Sequence, residues 1–305
     1  MKAQGSVGMD FTSIVGLLAG LGLVTFGIVF TPSAGVVMKE LNNFIDIPSI
    51  FITFGGTISA TLMAFPISYF KDIPKHIRIT TLKKQYNPQD YIDKIVSFAM
   101  EARKKGLLSL EDKAVRETDQ FLKDSIMLIV DAIDPSKVKE MLNTELDCLV
   151  DRHSHGWQFY EKFATFAPAF GMIGTLIGLI NMLAHMDMSA ANGANKMAQG
   201  MATALVTTFY GSMIANVFLI PFAHKLHMRH DEEMVCKEIV VQGVLAIQSG
   251  DNPTHIEERL NAFVCEKSRV SSHAKGDFKS NSGRSNSAKV NTETKTEEKK
   301  VKKAS

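Results

Sequence analysis

The chain has 305 residues, 45% of them hydrophobic, and its 34 Lys and Arg against 32 Asp and Glu leave a formal net charge of +2. That balance conceals segregation: apolar residues fall in blocks and charges fall between them. The pattern excludes a single soluble domain and fits a polytopic, all-α membrane protein with soluble segments. No nucleic-acid partner is expected. Cys148, Cys236 and Cys265 follow no metal-ligand spacing, and their odd number argues against a disulfide framework.

Four apolar stretches approach the roughly 20 residues a helix needs to cross a bilayer, at about 11–30, 47–66, 163–186 and 197–223. The first is too long for a cleavable signal peptide, and no A-x-A site follows it. The second has Pro48 at its start, where a missing N–H costs nothing. The third and fourth carry no Asp, Glu, Lys or Arg from Phe163 to Leu183 and from Met197 to Ala223. The connections after the first and third spans hold only Lys39 and only Lys196, whereas 71–162 and the stretch beyond Lys225 are rich in Lys and Arg. The positive-inside rule therefore places the N-terminus, the long middle segment and the C-terminus in the cytoplasm, where thiols stay reduced.

The resulting organisation is a first transmembrane pair within 1–66, a cytoplasmic helical domain over 67–162, a core pair over 163–224, C-terminal cytoplasmic helices over 225–264 and a disordered polar tail over 265–305. In the middle segment, Asp90–Lys105 carries Ile92, Ile95, Val96, Ala99 and Met100 at helical spacing and stops at Gly106. Ser109 with Asp112 reads as a capping pair opening the next helix. Asp124–Ile133 holds an apolar run too short to span a membrane. Asp134 followed by Pro135 starts a further helix, whose stripe of Val138, Met141, Leu142, Leu149 and Val150 continues toward the third span. The helix after the fourth span is expected to run through Lys225 to Gln248. Gly250 stops it, and Asn252-Pro253 starts a short last helix ending near Val264. Beyond Ser268, apolar residues almost vanish and the chain cannot bury enough surface to offset its entropy.

No phosphate-binding loop is present, and the chain is not expected to be an enzyme or to hold a cofactor. Within the spans, Gly174 with Gly178, and Gly16 with Gly20, form small-xxx-small pairs that let helix backbones approach. His224, His227 and His230 fan over roughly 120° of a helix, so they suit one metal ion poorly and read as juxtamembrane polar groups facing lipid head groups. The informative absence is acidic: an ion carrier through lipid needs an ionisable group at membrane depth, and these spans have none. They offer Thr175 and Asn181 in the third span, and Thr203, Thr207, Thr208, Tyr210, Ser212 and Asn216 in the fourth. Hydroxyls and carbonyls replace part of a hydration shell but do not titrate. If the chain conducts ions, a partner brings the carboxylate. The alternative is that these hydroxyls bond their own helix or a neighbouring one. Pro168 and Pro221, near the cytoplasmic ends of the core spans, each remove an intrahelical bond and permit a kink or a hinge.

FAPAFGMIGTLIGL over 166–179, ATALVTTFYGSMIAN over 202–216, ARKKGLLSLED over 102–112, VDRH over 150–153 and GVLAIQSGDNP over 243–253 resemble, in that order, the flagellar motor stator A subunits, the MotA/PomA family. The resemblance covers the chain up to about Val264. ExbB and TolQ subunits, energisers of outer-membrane processes and the alternative reading, share the third and fourth spans. They lack a second span followed by a long cytoplasmic insertion.

The resemblance implies a homo-oligomeric ring, a pentamer, around a MotB/PomB-like B subunit that supplies the membrane aspartate. It implies a cell-membrane location and ion flow converted to torque. Pro168 and Pro221 match the family's prolines that couple ion flow to movement. Arg103, Lys104 and Glu111 match the charges that engage a FliG-like rotor switch-complex ring. Thr175 matches a position that is threonine in sodium-driven members, and Thr208, beside Thr207, matches a second pathway threonine. Hydroxyl oxygens suit a hard cation, so sodium, transiently near Thr175, is favoured as the transported ion, with a proton the alternative.

Overall fold

A computed structural model describes residues 8–9, 11–31, 35–36, 38–83, 86–184 and 193–264. The tail over 265–305, Cys265 and the last two residues of the expected third span lie outside the described residues. Strand structure among them is confined to two antiparallel ladders, Gly8–Met9 with Leu82–Lys83 and Phe30–Thr31 with Gly35–Val36. The rest is helical or connecting. The chain divides into two compact units, one of Met1–Tyr86 with Thr144–Met234, the other of Asn87–Asn143 with Val235–Ser305.

Helix α1 is Phe11–Val29 and helix α2 is Ile47–Ala64. Asp46 caps α2 by accepting from the Ser49 N–H at 3.1 Å, with proline in the first turn as the sequence requires. The helix stops two residues before the expected end, because Phe65 precedes Pro66 and is held extended. Helix α3 is Ile67–Thr81. In the second unit, α4 is Pro88–Lys105, capped by Asn87 and ended by Gly106 at φ 86°. The short α5 is Glu111–Ala114 and α6 is Gln120–Val130. Helix α7 is Pro135–Ala184, 50 residues without a break. Helix α8 is Gly193–Gln248, 56 residues with a π-helical segment at Ile214–Leu219. Asn252 caps α9, Pro253–Leu260. The expected long helices are present, as are the two cap-plus-proline starts at Asp134-Pro135 and Asn252-Pro253.

The spans Ile47–Ala64, Pro135–Ala184 and Gly193–Gln248 are long and apolar enough to cross a membrane, and Val15–Val29 is apolar but shorter. Their outward faces carry Leu18, Leu23, Met63, Leu176, Ile180 and Leu205 exposed, which suits hydrocarbon solvent. In the second unit a core of Ile92, Ile95, Phe98, Leu122, Ile126 and Ile239 is closed to solvent. Gly243 makes the closure possible: a Cβ there would lie 2.5 Å from Ile95. Lys94 bridges to Glu117 at 2.6 Å, and Lys237 lies 4.3 Å from the Phe121 ring centroid.

Four sequence expectations are corrected. A Cβ added at Gly16 or Gly20 would meet nothing within 4 Å, so no helix among the described residues packs on that face of α1. Ser109 does not cap α5. It lies inside a 3₁₀ turn, Leu107–Leu110, where its hydroxyl donates to the Gly106 carbonyl at 2.7 Å, leaving α5 without a side-chain cap. Met100 and Met141 are exposed, while Phe98 and Leu146 fill the buried stripes. His230 is buried rather than turned toward head groups.

Candidate functional site

The α7–α8 crossing is built from the smallest residues available. A Cβ on Gly178 would stand 2.6 Å from the Gly200 carbonyl and 2.7 Å from the Ala204 nitrogen. One on Gly174 would meet Thr207 at 2.5 Å, and one on Gly211 would meet the Ala167 carbonyl at 2.6 Å. Backbone therefore touches backbone over several turns, the contact that small-xxx-small spacing allows. The Gly174–Gly178 pair acts as its spacing predicts.

The threonines divide by environment. Thr207 is fully buried, and its hydroxyl donates to its own helix at Thr203 O (2.8 Å) and Ala204 O (3.0 Å). Thr208 is exposed and reaches across to the Gly171 carbonyl at 3.5 Å, as well as to Ala204 O at 3.3 Å. Thr175 lies one turn beyond Gly171, half-buried, with its hydroxyl on Met172 O at 2.6 Å. Thr208 thus meets α7 at Gly171, one turn before Thr175, while Thr207 packs against Gly174. Asn216 bonds back to Ser212 O at 3.0 Å.

Sequence reading missed the other half of this polar seam. Ser49, Thr53, Thr57 and Thr61 of α2 are all buried. Ser49 and Thr53 reach the carbonyls of Thr203 and Thr207 at 3.3 and 3.4 Å. The signal was available: hydroxyls at every fourth residue define one helix face. Gly56 on the same helix makes room for the Phe170 ring, which a Cβ would strike at 2.1 Å.

The two prolines share a neighbourhood. Ala164 and Ala167, before Pro168, pack with Ala215 into a buried cluster joined by Ile214 and Leu219. Those last three residues belong to the π-helical segment immediately before Pro221. Proline at 221 would clash with the carbonyl four residues earlier, and the widened turn relieves that clash. Pro168 is half-buried in an unbroken helix, and Gly211 presses on it, since a Cβ there would lie 3.1 Å from its Cα.

Beyond the prolines, Phe159, Tyr160, Ala223 and Leu226 form a buried cluster with Phe65, Tyr69, Phe70 and Trp157 around it. His76 Nδ1 lies 3.1 Å from the Tyr160 hydroxyl. His230 Nδ1 lies 3.1 Å from His153 Nδ1, and the Trp157 ring packs tilted against His230 with centroids 5.0 Å apart. The Nδ1 contact requires one ring to donate and the other to accept, so both rings cannot be protonated together. Burial lowers the pKa of His76 against the opposing pull of Asp72, and lowers that of His230 against Asp231 and Glu233. Burial, reinforced by Asp72, pushes the Tyr160 phenol up. Native pKa values below the ordinary 6.5 mean the fold favours neutral histidines. Their contribution is complete above that value and is lost as pH falls through the lowered native values. The purified protein should therefore melt at lower temperature at acidic pH than at pH 8, and His76→Gln with His230→Gln should flatten the difference. An unchanged pH slope in that double variant would refute the assignment. Among the described residues no group of three or more His, Cys, Asp or Glu is placed to hold a metal ion.

In the second unit, Arg103 and Lys104 lie exposed in the last turn of α4, and Glu111 opens α5, also exposed. None of the three forms an ion pair among the described residues, unlike neighbouring Lys105 and Lys113, which both hold Glu101 (3.1 and 3.5 Å). Lys105, chiefly through its hydrogen bond, keeps the Glu101 carboxyl below its usual range.

Residues 113–239 match the MotA/TolQ/ExbB proton channel family. The chain is 37% identical to Motility protein A of Borreliella burgdorferi over 86% of this chain and 96% of that protein. The chain belongs to the MotA/PomA branch of this family. It is equally 37% identical to the Chemotaxis protein PomA of Vibrio alginolyticus, covering 86% and 98% of the two chains. Its fold superimposes on a chain of the flagellar MotAB stator complex from Bacillus subtilis with a TM-score of 0.75 at 29% identity, covering 86% of this chain and 99% of that one. MotA/PomA membership extends over segments that precede residue 113, and so favours the stator A subunits over the ExbB and TolQ kind.

Proposed function

We propose that this chain is the ring-forming, ion-conducting A subunit of a flagellar stator, coupling sodium flow to torque on the rotor. The observation that carries the reading is the α7–α8 crossing: closely packed backbone, the Thr208 hydroxyl on the Gly171 carbonyl, the Thr175 hydroxyl on the Met172 carbonyl next to it, and no carboxylate over 163–183 or 197–223. Such a surface offers oxygens to a hard cation without titrating itself. It needs an aspartate from a partner, which we assign to a single-span B subunit; the related solved structure is of a MotAB complex.

The coupling ion neutralises that aspartate and changes its affinity for the threonine-lined face. A ring of five copies then advances around the partner. Each charge moved down 100 mV releases about 2.3 kcal/mol, enough for several ions to drive one rotor step. Pro168 and Pro221, joined through the alanine cluster and the π-helical segment, are the flexing element that turns the advance into movement. Arg103, Lys104 and Glu111, exposed and unpaired within the described chain, engage the rotor ring. Counting Phe11–Val29 as a span, four helices cross the cell membrane, with both termini cytoplasmic.

The test is rotation in a motile host lacking its own stator, with this chain and its B-type partner expressed together. Rotation should rise with external sodium and saturate, and Thr175→Ala should weaken the sodium dependence. Sustained rotation in sodium-free medium with the proton gradient intact would reject sodium as the coupling ion.

A further inference from the structure

Ser49, Thr53, Thr57 and Thr61 recur at every fourth residue of α2, which stacks them on one face, and all are at most 1% exposed. Their hydroxyls fall into two classes. Thr57 and Thr61 donate to the carbonyl four residues back in their own helix, at 2.5 and 2.8 Å. Thr53 donates at 3.4 Å to the carbonyl of Thr207 on α8. Ser49, which also bonds Asp46, reaches the Thr203 carbonyl one turn away. The difference has a local cause: Thr53 sits within a π-helical segment, Phe51–Gly55, where the register that seats the ordinary back-bond is broken.

The acceptor is informative. Thr207 is wedged from α7, since a Cβ on Gly171 would come within 3.2 Å of its carbonyl oxygen and one on Gly174 within 2.5 Å of its side chain. The following residue is Thr208, whose hydroxyl crosses to Gly171. The backbone that aims Thr208 is therefore gripped by α7 on one side and by a single α2 hydroxyl on the other.

We propose that Thr53 is a positioning residue for the coupling ion: by holding the Thr207 carbonyl it fixes the Thr208 hydroxyl against the Gly171 carbonyl. The inference rests on Thr175 and Thr208 lining the ion path. Oxygens that replace a hydration shell must be held close to their productive geometry. A buried carbonyl relieved of its second donor is less firmly oriented. Thr61 supplies the internal control, because its hydroxyl is equally buried but bonds only its own helix.

The experiment measures rotation speed against external sodium, or against external pH if rotation persists without sodium. The stator-deleted host carries the full chain and its B-type partner. Thr53→Val keeps the shape and removes the hydroxyl. It should raise the half-saturating ion concentration about three- to tenfold, the scale of one interhelical hydrogen bond. Maximal speed and membrane level should stay near wild type. Thr53→Ser should restore the wild-type value, and Thr61→Val should not move it. If Thr53→Val fails to accumulate, Thr53→Cys, nearly the same size and a weak donor, gives the same reading. A wild-type half-saturation in Thr53→Val, or an equal shift in Thr61→Val, overturns the proposal. Thr175→Ala and Thr208→Ala run alongside: if neither alters ion dependence, the ion-path reading itself fails. If they do and Thr53→Val does not, only the positioning role falls.

Discussion

Gly178→Val should abolish swimming and deplete the protein from the membrane, and Gly178→Ala should give a partial loss of both. The first added atom would stand 2.6 Å from the Gly200 carbonyl and 2.7 Å from the Ala204 nitrogen. Both obstacles are backbone, so no rotamer change can clear them. The helices must separate, losing dispersion contacts along the seam. Overpacking of this kind costs about 1–3 kcal/mol for small insertions and more where nothing can yield. Separation also moves Thr208 away from Gly171, so the damage reaches ion dependence before it reaches folding. Swim diameter with a membrane immunoblot decides the matter. Full motility in Gly178→Val would mean that the crossing is looser than described.

Arg103→Glu, strengthened by Lys104→Glu, should eliminate torque while the protein still accumulates and co-purifies with its B-type partner. Both side chains are exposed and unpaired among the described residues, so reversal disturbs no internal contact and should change stability by no more than about 0.5 kcal/mol. The loss falls on the rotor encounter, where charge complementarity sets orientation and rate. Two measurements are needed, bead rotation and the melting temperature of the purified protein. Normal rotation would remove these charges from the rotor contact, and a large drop in melting temperature would make them structural. The neighbouring Lys113 is the counter-example: it contacts Glu101, Ser97 and the Phe98 ring, so its replacement should cost stability first.

What the sequence made legible follows from how local each signal is. Asp134-Pro135 and Asn252-Pro253 open helices because cap and proline act within one turn. The uncharged runs and the Gly174–Gly178 spacing foretold long helices crossing closely. Ser109 and Asp112 failed because the Ser109 hydroxyl found a nearer acceptor in the Gly106 carbonyl. Gly16 and Gly20 have the same spacing as Gly174 and Gly178, yet no element among the described residues meets them, since spacing names a face without naming its neighbour. The α2 hydroxyls were visible as a four-residue repeat. Their link to Thr203 and Thr207 spans 154 positions, and no local pattern encodes that. His230 escaped for the same reason: its partners, His153 and Trp157, come from another helix.

The π-helical segment before Pro221 also sets an angular offset. A widened turn accommodates about one extra residue, so side chains beyond it are turned by about 100° from where an uninterrupted α-helix would aim them. Thr203 and Thr207 lie upstream of that offset; Ala223, Leu226 and His230 lie downstream, and all five are buried. One continuous rod thereby presents its glycine-threonine edge to one set of neighbours and its aromatic-binding edge to another. Deleting one residue within 214–219 would restore the ordinary pitch and swing Leu226 and His230 out of their sockets without breaking the rod.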